Sequence, residues 1–397
     1  MTSCDTSDFL EQARALHEAL PVFVGYFDHC DEPFLPSGGT QADLEKLDAA
    51  GIRTFVASIG FGCYFQTGPR EYELAGPPEW LLERQIERID YVLNNIERCP
   101  RTRPITCKRD LETSWDDDSI GVIIHLTGNQ HTLDLSTVDL FFGHGVRASH
   151  PAMPYHNRWC SGIGGMPGPV ITDFGREVVA RMNELGIVLD TAHASDESAM
   201  AILEASMKPV IDSHTTSRNL VPSSRGLRDD TLRAIADSGG VIGVHFADHM
   251  LTEDVSRRKN VPWDRAPRIW QYNRYVLDRT KDPDERMRLR RNAEEQEKFF
   301  REAGLPPEPP PSKERIATVR DLADVIGYLV NLAGIEHVGL GGDVNGIGLD
   351  QWPVGMDHVG ELPNLTAELL RRGYHEPSLE KILAANWLRV YRECLPE

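Results

Sequence analysis

Short apolar runs alternate with longer amphipathic segments along most of the chain. In the clearest example, residues 187–189 and 209–211 are apolar runs too short for helices, and they are predicted to be buried parallel strands. Residues 195–208, between them, carry apolar side chains at helical spacing, and Ser195 or Asp196 is placed to cap the first turn. This stretch therefore predicts a β-α-β unit.

The same alternation extends over the rest of the chain. Further strands are predicted at 21–31, 52–60, 121–126, 239–246 and 337–343, with one more within 139–149. Amphipathic helices are predicted at 10–20, 40–50, 78–99, 173–185, 231–238 and 319–333. Strand and helix repeated this often are typical of a parallel barrel, so the predicted fold class is α/β, a (β/α)8 TIM barrel.

Residues 1–397 are predicted to form one barrel domain. Between about 252 and 316 the alternation lapses into a highly charged, partly helical stretch that ends in a proline cluster, which we interpret as an insertion. It is compatible with a solvated arm, a lid or a dimer contact, so a homodimer is among the expectations. Two further helices at about 362–395 are expected to pack around the barrel.

The chain is acidic, with a net charge of −19 from 61 acidic and 42 basic residues, and it has no long basic run. This balance argues against nucleic acids and anionic membranes as partners and favours a small molecule or a metal ion. The N-terminal segment lacks the pattern of a signal peptide, so a cytoplasmic protein is expected. Seven scattered cysteines without Cys-x-x-Cys spacing are expected to be reduced thiols.

Histidine and aspartate stand at the carboxyl ends of several predicted strands. His29 and Asp31 end the first strand and share a face, His193 and His214 follow the two strands of the β-α-β unit, and Asp343 ends the last strand. Imidazole and carboxylate are ligands suited to zinc and similar divalent ions. A single buried histidine is often a hydrogen-bonded core residue, but the agreement of four strand ends predicts a metal centre where ligands collect in such folds.

Several longer motifs resemble the membrane (renal) dipeptidases, peptidase family M19, within the amidohydrolase superfamily of metal-dependent barrel enzymes. They are the His-x-Asp of FDHCDEP, the run TDFGREVVARMNELGIVLDTAHASDE, and KPVIDSHTTSR, RDDTLRAIADSGGVIGVHF and HVGLGGDVNG. The resemblance covers residues 21–394 apart from the charged insertion. It implies a metallo-dipeptidase, an enzyme that hydrolyses a dipeptide or a dipeptide-like amide with a free carboxylate through metal-activated hydroxide.

The resemblance also implies which residues bind metal. His29 and Asp31 match the ligands of one zinc ion. His193 and His214 match the ligands of a second.

Three further roles are implied by the resemblance. Asp343 matches the catalytic acid/base, which takes the proton of the attacking water and delivers it to the leaving amine. Arg225 matches the arginine that binds the terminal carboxylate of the substrate. His156 matches the histidine that contacts the substrate and stabilises the developing oxyanion. Arg218, in the same loop as Arg225, fits a salt bridge within the loop better than a substrate contact.

The chain departs from this family at the end of the third predicted barrel strand. Relatives carry there a glutamate that bridges the two metal ions, whereas this chain reads GVIIHLTGNQHTLD and has no acid until Asp134. His125 occupies the strand end and is a tentative metal ligand, although an imidazole nitrogen normally binds one ion rather than two. A single zinc, a pair bridged by hydroxide alone, and loss of hydrolysis all stay open. His245, where relatives usually have a smaller polar residue, fits an added ligand, a narrower pocket or a hydrogen-bonded core histidine.

Two alternative functions follow from that departure. One is another reaction of the same superfamily on a carboxylated substrate, such as that of a lactonase, deaminase or decarboxylase. The other is a barrel that has lost a competent metal pair and binds or scaffolds without catalysis.

Overall fold

Eight parallel strands close into a barrel, which confirms the predicted fold class. The computed structural model describes residues 6–28, 41–60, 78–117, 119–129, 132–153, 157–163, 169–223, 225–259, 287 and 316–397. Within these ranges the strands are β1 (Val22–Phe27), β2 (Ile52–Ile59), β3 (Thr102–Pro104), β4 (Ile120–Leu126), β5 (Val146–Ser149), β6 (Val188–Asp190), β7 (Val210–Thr215), β8 (Ile242–His245) and β9 (Val338–Val344).

The barrel closes through the pairing of β2 with β4. The strands follow one another in the order β2, β1, β9, β8, β7, β6, β5, β4, and every pairing is parallel. The short strand β3 is an addition that the apolar pattern did not predict. It pairs with the start of β4, and β5 takes over the same edge of β4 further along. Because the eight other strands form a ring, all their carboxyl ends meet at one mouth.

Helices follow most of the strands and cover the outside of the barrel. In the described ranges they are Thr6–Ala19, Leu44–Ala49, Pro78–Arg98, Lys108–Asp116, Leu135–Gly143, Asp173–Leu185, Asp196–Ala205, Asp229–Asp237, Glu253–Lys259, Val319–Ala333, Leu362–Arg371, Glu376–Glu380 and Asn386–Cys394. Ser195 caps Asp196–Ala205 by accepting from the Ser198 N–H at 3.1 Å, as its position predicted. The helix Asp173–Leu185 ends at Gly186, whose φ of 83° is the left-handed conformation that glycine adopts without strain.

The C-terminal helix fills the amino end of the barrel. The indole of Trp387 is fully buried and donates from Nε1 to the Leu340 carbonyl at 3.1 Å. A Cβ atom at Gly25 or Gly339 would lie 2.5 or 2.4 Å from this ring, so only glycine fits on the facing strands. Strand-start residues such as Phe23 pack against the same cluster. The amino end of the barrel is therefore filled with apolar side chains, and the polar site residues lie at the opposite, carboxyl-terminal mouth.

Most of the predicted charged insertion, about 252–316, lies outside the described residues. The helix Glu253–Lys259 is the described part at its start. Among the helices of the described ranges, none combines the length and the apolar character needed to cross a bilayer.

Candidate metal centre and active site

A row of imidazoles lines the carboxyl-terminal mouth of the barrel. The rings come from the ends of β4 to β8 or from the residues that follow them. Neighbouring ring centres are 4.9 to 6.2 Å apart, in the order His125, His150, His193, His214, His245 and His249. All six side chains are buried. This convergence of strand ends makes the mouth the candidate site.

His193 and His214 form a pair suited to one metal ion. Their ring centres lie 5.2 Å apart, and two imidazoles bound to one tetrahedral zinc ion are separated by about 5 Å. Burial, followed by the charge of Arg225, lowers the pKa of both rings well below the ordinary value. Both rings are therefore neutral at pH 7, which is the state that binds a metal. The donor set of this pair fits a divalent ion.

The backbone and a stacked phenol hold the pair in place. His193 has a φ of 63°, an unusual conformation for a residue with a side chain, and such strain is concentrated at functional sites. The ring of His214 stacks on Tyr26 with centres 3.9 Å apart and planes 18° from parallel. Its Nδ1 lies 2.7 Å from the Ser213 hydroxyl. With Nδ1 engaged, Nε2 is the nitrogen available to a metal.

Three predicted site residues, His29, Asp31 and His156, lie outside the described residues. Their roles stay predictions. Among the histidine, cysteine, aspartate and glutamate side chains that are described, no group of three or more is arranged to hold a metal ion. The pair His193 and His214, together with His125, is thus the described portion of the predicted ligand set.

His125, the tentative ligand, lies against a buried carboxylate. Its Nε2 is 3.0 Å from Oδ2 of Asp190, and both side chains are fully buried. Oδ1 of Asp190 accepts from the backbone N–H groups of Ala192 and Ser213, each at 2.9 Å. Burial alone would raise the pKa of Asp190, but the hydrogen bond and charge of His125 outweigh it and lower that pKa. Asp190 therefore stays ionised, and one ring nitrogen of His125 is engaged with it.

Neutral hydroxyl groups lie next to His125 at the end of β4, the strand on which the family resemblance implies a bridging glutamate. The Thr127 hydroxyl contacts the hydroxyl of Ser58 and lies 3.1 Å from the phenol oxygen of Tyr26. Ser58 donates to the same phenol oxygen at 2.8 Å. Burial raises the pKa of Tyr26 well above its ordinary value, so the phenol stays protonated. The end of β4 therefore offers hydrogen bonds but no bridging anion.

Asp343, the predicted acid/base, stands at the end of β9. Its φ of 68° is again left-handed, and its side chain is 14% exposed. Oδ2 lies 3.2 Å from Nε2 of His245 on the neighbouring strand. The carboxylate is thus partly open to the mouth and held at one oxygen.

Arg225, the predicted carboxylate-binding residue, is 1% exposed. Nη2 donates to the His214 carbonyl at 2.7 Å, whereas the buried Nε has no hydrogen-bond partner among the described residues. A buried, incompletely bonded guanidinium beside the imidazole pair is suited to an anionic group of a ligand. Arg218 instead forms a salt bridge with Asp196, at the start of the helix Asp196–Ala205, at 2.7 Å, and it bonds the Gly226 carbonyl of its own loop at 2.6 Å.

The sequence reasoning missed His150 and Asp212. His150 directly follows β5, and its Nδ1 accepts from the Gly128 N–H at 3.1 Å. The signal was available, since a histidine follows the fourth barrel strand in RASHP. Asp212 lies on β7, where burial raises the pKa of its carboxyl to about 7. The signal was again available, because Asp212 directly follows the buried run predicted at 209–211.

The sequence model of the membrane dipeptidase family, peptidase family M19, matches residues 10–395. The chain belongs to this family. A solved family member is described as a dipeptidase and metallo peptidase, with a TM-score of 0.70 at 20% identity, covering 96% of this chain and all of its own. Membership of this family of metallopeptidases supports a hydrolase that works with a divalent metal ion.

Two proteins are similar in sequence to this M19 chain over about three quarters of its length. An uncharacterised Klebsiella pneumoniae protein from the pqqA 5′ region is 27% identical over 300 residues, which is 74% of this chain and 89% of that protein. Dipeptidase 3 of Rattus norvegicus is 26% identical over 78% of this chain. The chain spans only 51% of the rat protein's length.

Two solved structures share the fold. The probable dipeptidase PvdM from Pseudomonas aeruginosa has a TM-score of 0.75 at 23% identity, covering 98% of this chain and 99% of its own. A metallo peptidase from Rhodobacter sphaeroides, liganded with a phosphinate mimic of L-Ala-D-Ala, has a TM-score of 0.70 at 20% identity, covering 94% and 99%.

Proposed function

We propose that this M19 chain is a zinc-dependent dipeptidase that hydrolyses a dipeptide, or a dipeptide-like amide, with a free carboxylate. The observation that carries the proposal is the pairing of His193 and His214 at 5.2 Å, with the buried Arg225 bonded to His214. Only the imidazole of His245 separates Asp343 from His214: it lies next to the His214 ring and contacts the Asp343 carboxylate. A metal-binding pair, an anion-binding residue and a carboxylate acid/base are the parts that amide hydrolysis requires.

The proposed metal ligands are His193 and His214 for one ion, with His29 and Asp31 at a second position. When bound, such an ion lowers the pKa of a water molecule to near neutrality and polarises the carbonyl that is attacked. Zinc is proposed because neutral imidazole and carboxylate are its common ligands. His125 is a further candidate ligand through Nδ1, since its Nε2 faces Asp190.

The other residues move a proton and orient the substrate. Asp343 takes a proton from the attacking water as the new C–O bond forms, and it returns that proton to the amine nitrogen as the C–N bond breaks. Arg225 pairs with the terminal carboxylate and so fixes which amide faces Asp343. His156 is proposed to donate to the oxygen that gains negative charge. Asp343 is therefore ionised again at the end of each catalytic cycle, as it was at the start.

One observation favours a second candidate, another amidohydrolase-type reaction such as lactone hydrolysis. The end of β4 carries His125 and then the neutral group Thr127, hydrogen-bonded to Tyr26, where the resemblance implies an acid. A centre with one anion fewer holds two cations less well, which favours a reaction that needs a single ion.

A substrate panel tests the proposal. Purified protein is dialysed against chelator, reloaded with zinc, and assayed with L,L- and L,D-dipeptides, each beside its C-terminally amidated form and beside a set of lactones. The L,D set is included because the Rhodobacter sphaeroides neighbour is liganded with a mimic of L-Ala-D-Ala. We expect zinc-dependent release of free amino acids, faster from the free acids than from the amides. Turnover of lactones alone, or turnover that survives chelation, would contradict the proposal.

A further inference from the structure

His245, at the barrel mouth, contacts the carboxylate of Asp343. His245 is the last residue of β8, pairs with Gly342 in the register with β9, and is only 2% exposed. Its Nε2 lies 3.2 Å from Oδ2 of Asp343. The contact joins the carboxyl ends of two neighbouring barrel strands.

The backbone selects the tautomer of His245. The N–H of Ala247 donates to Nδ1 at 3.0 Å, so Nδ1 is an acceptor and carries no proton. The proton of the ring therefore sits on Nε2, which donates it to Asp343. A hydrogen bond from a fixed donor favours the ionised carboxylate and determines which way its plane faces.

The opposite side of the Asp343 carboxylate is also constrained. A Cβ atom at Gly346 would lie 2.0 Å from Oδ1, so the carboxylate packs directly against the Gly346 backbone. The Gly346 N–H donates to the Asp343 carbonyl at 3.1 Å, and the left-handed φ of Asp343 belongs to the same turn. The turn thus restricts the movement of Oδ1, and the contact with His245 restricts the movement of Oδ2.

His245 also stands between Asp343 and the proposed metal ligand His214. The two imidazole centres are 5.5 Å apart. Strands β7 and β8 approach closely here, since a Cβ at Gly243 would lie 1.9 Å from the Ser213 carbonyl oxygen. The position of His245 relative to both residues is therefore set by rigid strands rather than by a loop.

We infer that His245 is the positioning residue for Asp343. It keeps its own proton and holds Oδ2, so that Asp343 takes the proton of the attacking water on Oδ1 and passes that proton to the leaving amine. The inference rests on the proposed acid/base role of Asp343. It assigns His245 neither to the metal nor to packing alone.

The first test compares two substitutions of His245 by steady-state kinetics and metal analysis. His245→Leu removes the donor, and we expect kcat to fall about 10- to 100-fold while KM and metal content stay within about twofold. His245→Gln places an amide N–H near the position of Nε2–H, and we expect it to recover about tenfold in kcat over the leucine variant. His17→Leu is the matched control, because His17 is another buried imidazole, bonded to Ala50 and Thr366 away from the mouth. It should lower stability but not kcat.

The second test asks whether His245 acts through Asp343. Asp343→Asn alone should lower kcat by about 10²- to 10⁴-fold. If His245 works by orienting that carboxylate, adding His245→Leu should cost less than about threefold more. Losses that multiply in the double variant, or a loss of metal in His245→Leu alone, would overturn the inference.

The third test needs no turnover. In a crystal structure of His245→Leu, we expect the Asp343 carboxylate to rotate away from its original orientation or to split between two. An unchanged carboxylate would overturn the inference. A wild-type protein that hydrolyses no dipeptide would instead defeat the proposed function, and the crystal structures would still decide whether His245 positions Asp343.

Discussion

Arg225 donates a hydrogen bond from Nη2 to the backbone carbonyl of His214 at 2.7 Å. The residue proposed to bind the substrate carboxylate is therefore anchored to the strand end that carries a proposed metal ligand. Because the guanidinium is 1% exposed and planar, its position relative to the His214 strand end is fixed by the fold. Such a fixed span selects substrates by the number of atoms between the carboxylate and the amide.

This arrangement predicts the effect of Arg225→Ala. We expect kcat/KM for dipeptides with a free carboxylate to fall about 100-fold, since a buried charge-assisted pair is lost, while the amidated dipeptides change less than about threefold. Arg218→Ala is the control, because Arg218 lies in the same loop as Arg225 but bonds Asp196 at the start of a neighbouring helix. An equal loss for the free and amidated substrates would show that Arg225 supports the loop rather than the carboxylate.

Removal of one imidazole of the proposed pair should release metal. After dialysis with zinc, His214→Ala is expected to retain less than half of the metal per chain found in the wild type, measured by inductively coupled plasma mass spectrometry. His337→Ala is a matched control, because its ring binds the Gly240 carbonyl at 2.9 Å and belongs to no strand end of the mouth. Metal content unchanged by His214→Ala would remove this residue from the ligand set.

Gly346 is predicted to be intolerant of any side chain. Gly346→Ala places a Cβ atom 2.0 Å from Oδ1 of Asp343, so the carboxylate or the turn has to move. We expect kcat to fall at least about tenfold, with a loss of about 1–3 kcal/mol in the free energy of unfolding. Gly143→Ala, where no atom lies within 4 Å, should leave both nearly unchanged or slightly raise stability. Full activity in Gly346→Ala would show that the orientation of Asp343 is not critical.

The lowered pKa of Glu368, a residue away from the mouth, should make the free energy of unfolding depend on pH. Hydrogen bonds from Arg371 at 2.6 and 2.7 Å and from Arg372 at 2.8 Å lower the pKa of its carboxyl to about 2. Because the folded-state pKa lies below the ordinary value of 4.5, this stabilisation is complete above pH 4.5 and is lost as the pH falls towards 2. Denaturant unfolding should show Glu368→Gln about 1–2 kcal/mol less stable at pH 6, with the difference more than halved at pH 3. A difference independent of pH would contradict this assignment.

The barrel was predictable because its strands are apolar on both faces and each is followed by a helix with one apolar side. The helices Asp173–Leu185 and Val319–Ala333 begin and end where the pattern places them, since each has a capping residue and a following glycine. The strand β3 was not predictable. It has three residues, includes Pro104, and is a strand only because it pairs with the start of β4.

The sequence predicted which side chains lie at the strand ends of the mouth, but it did not predict which side chains contact one another there. His193, His214 and Asp343 could be assigned to one mouth because parallel strands bring their carboxyl ends together. The contact between His125 and Asp190 joins residues 65 positions apart, and the spacing of each strand says nothing about which ring nitrogen faces the other. Tertiary packing decides that, so the carboxylate partner of His125 could not be predicted, and its role as a metal ligand stays a prediction.

The indole of Trp387 touches both Gly25 on the first strand and Gly339 on the last. The first barrel strand therefore depends on a helix that lies far along the chain, so its packing is completed only late in folding. A chain cut before Trp387 would have a cavity beneath the strands that contact this ring, so it should be degraded rather than persist as a shorter enzyme.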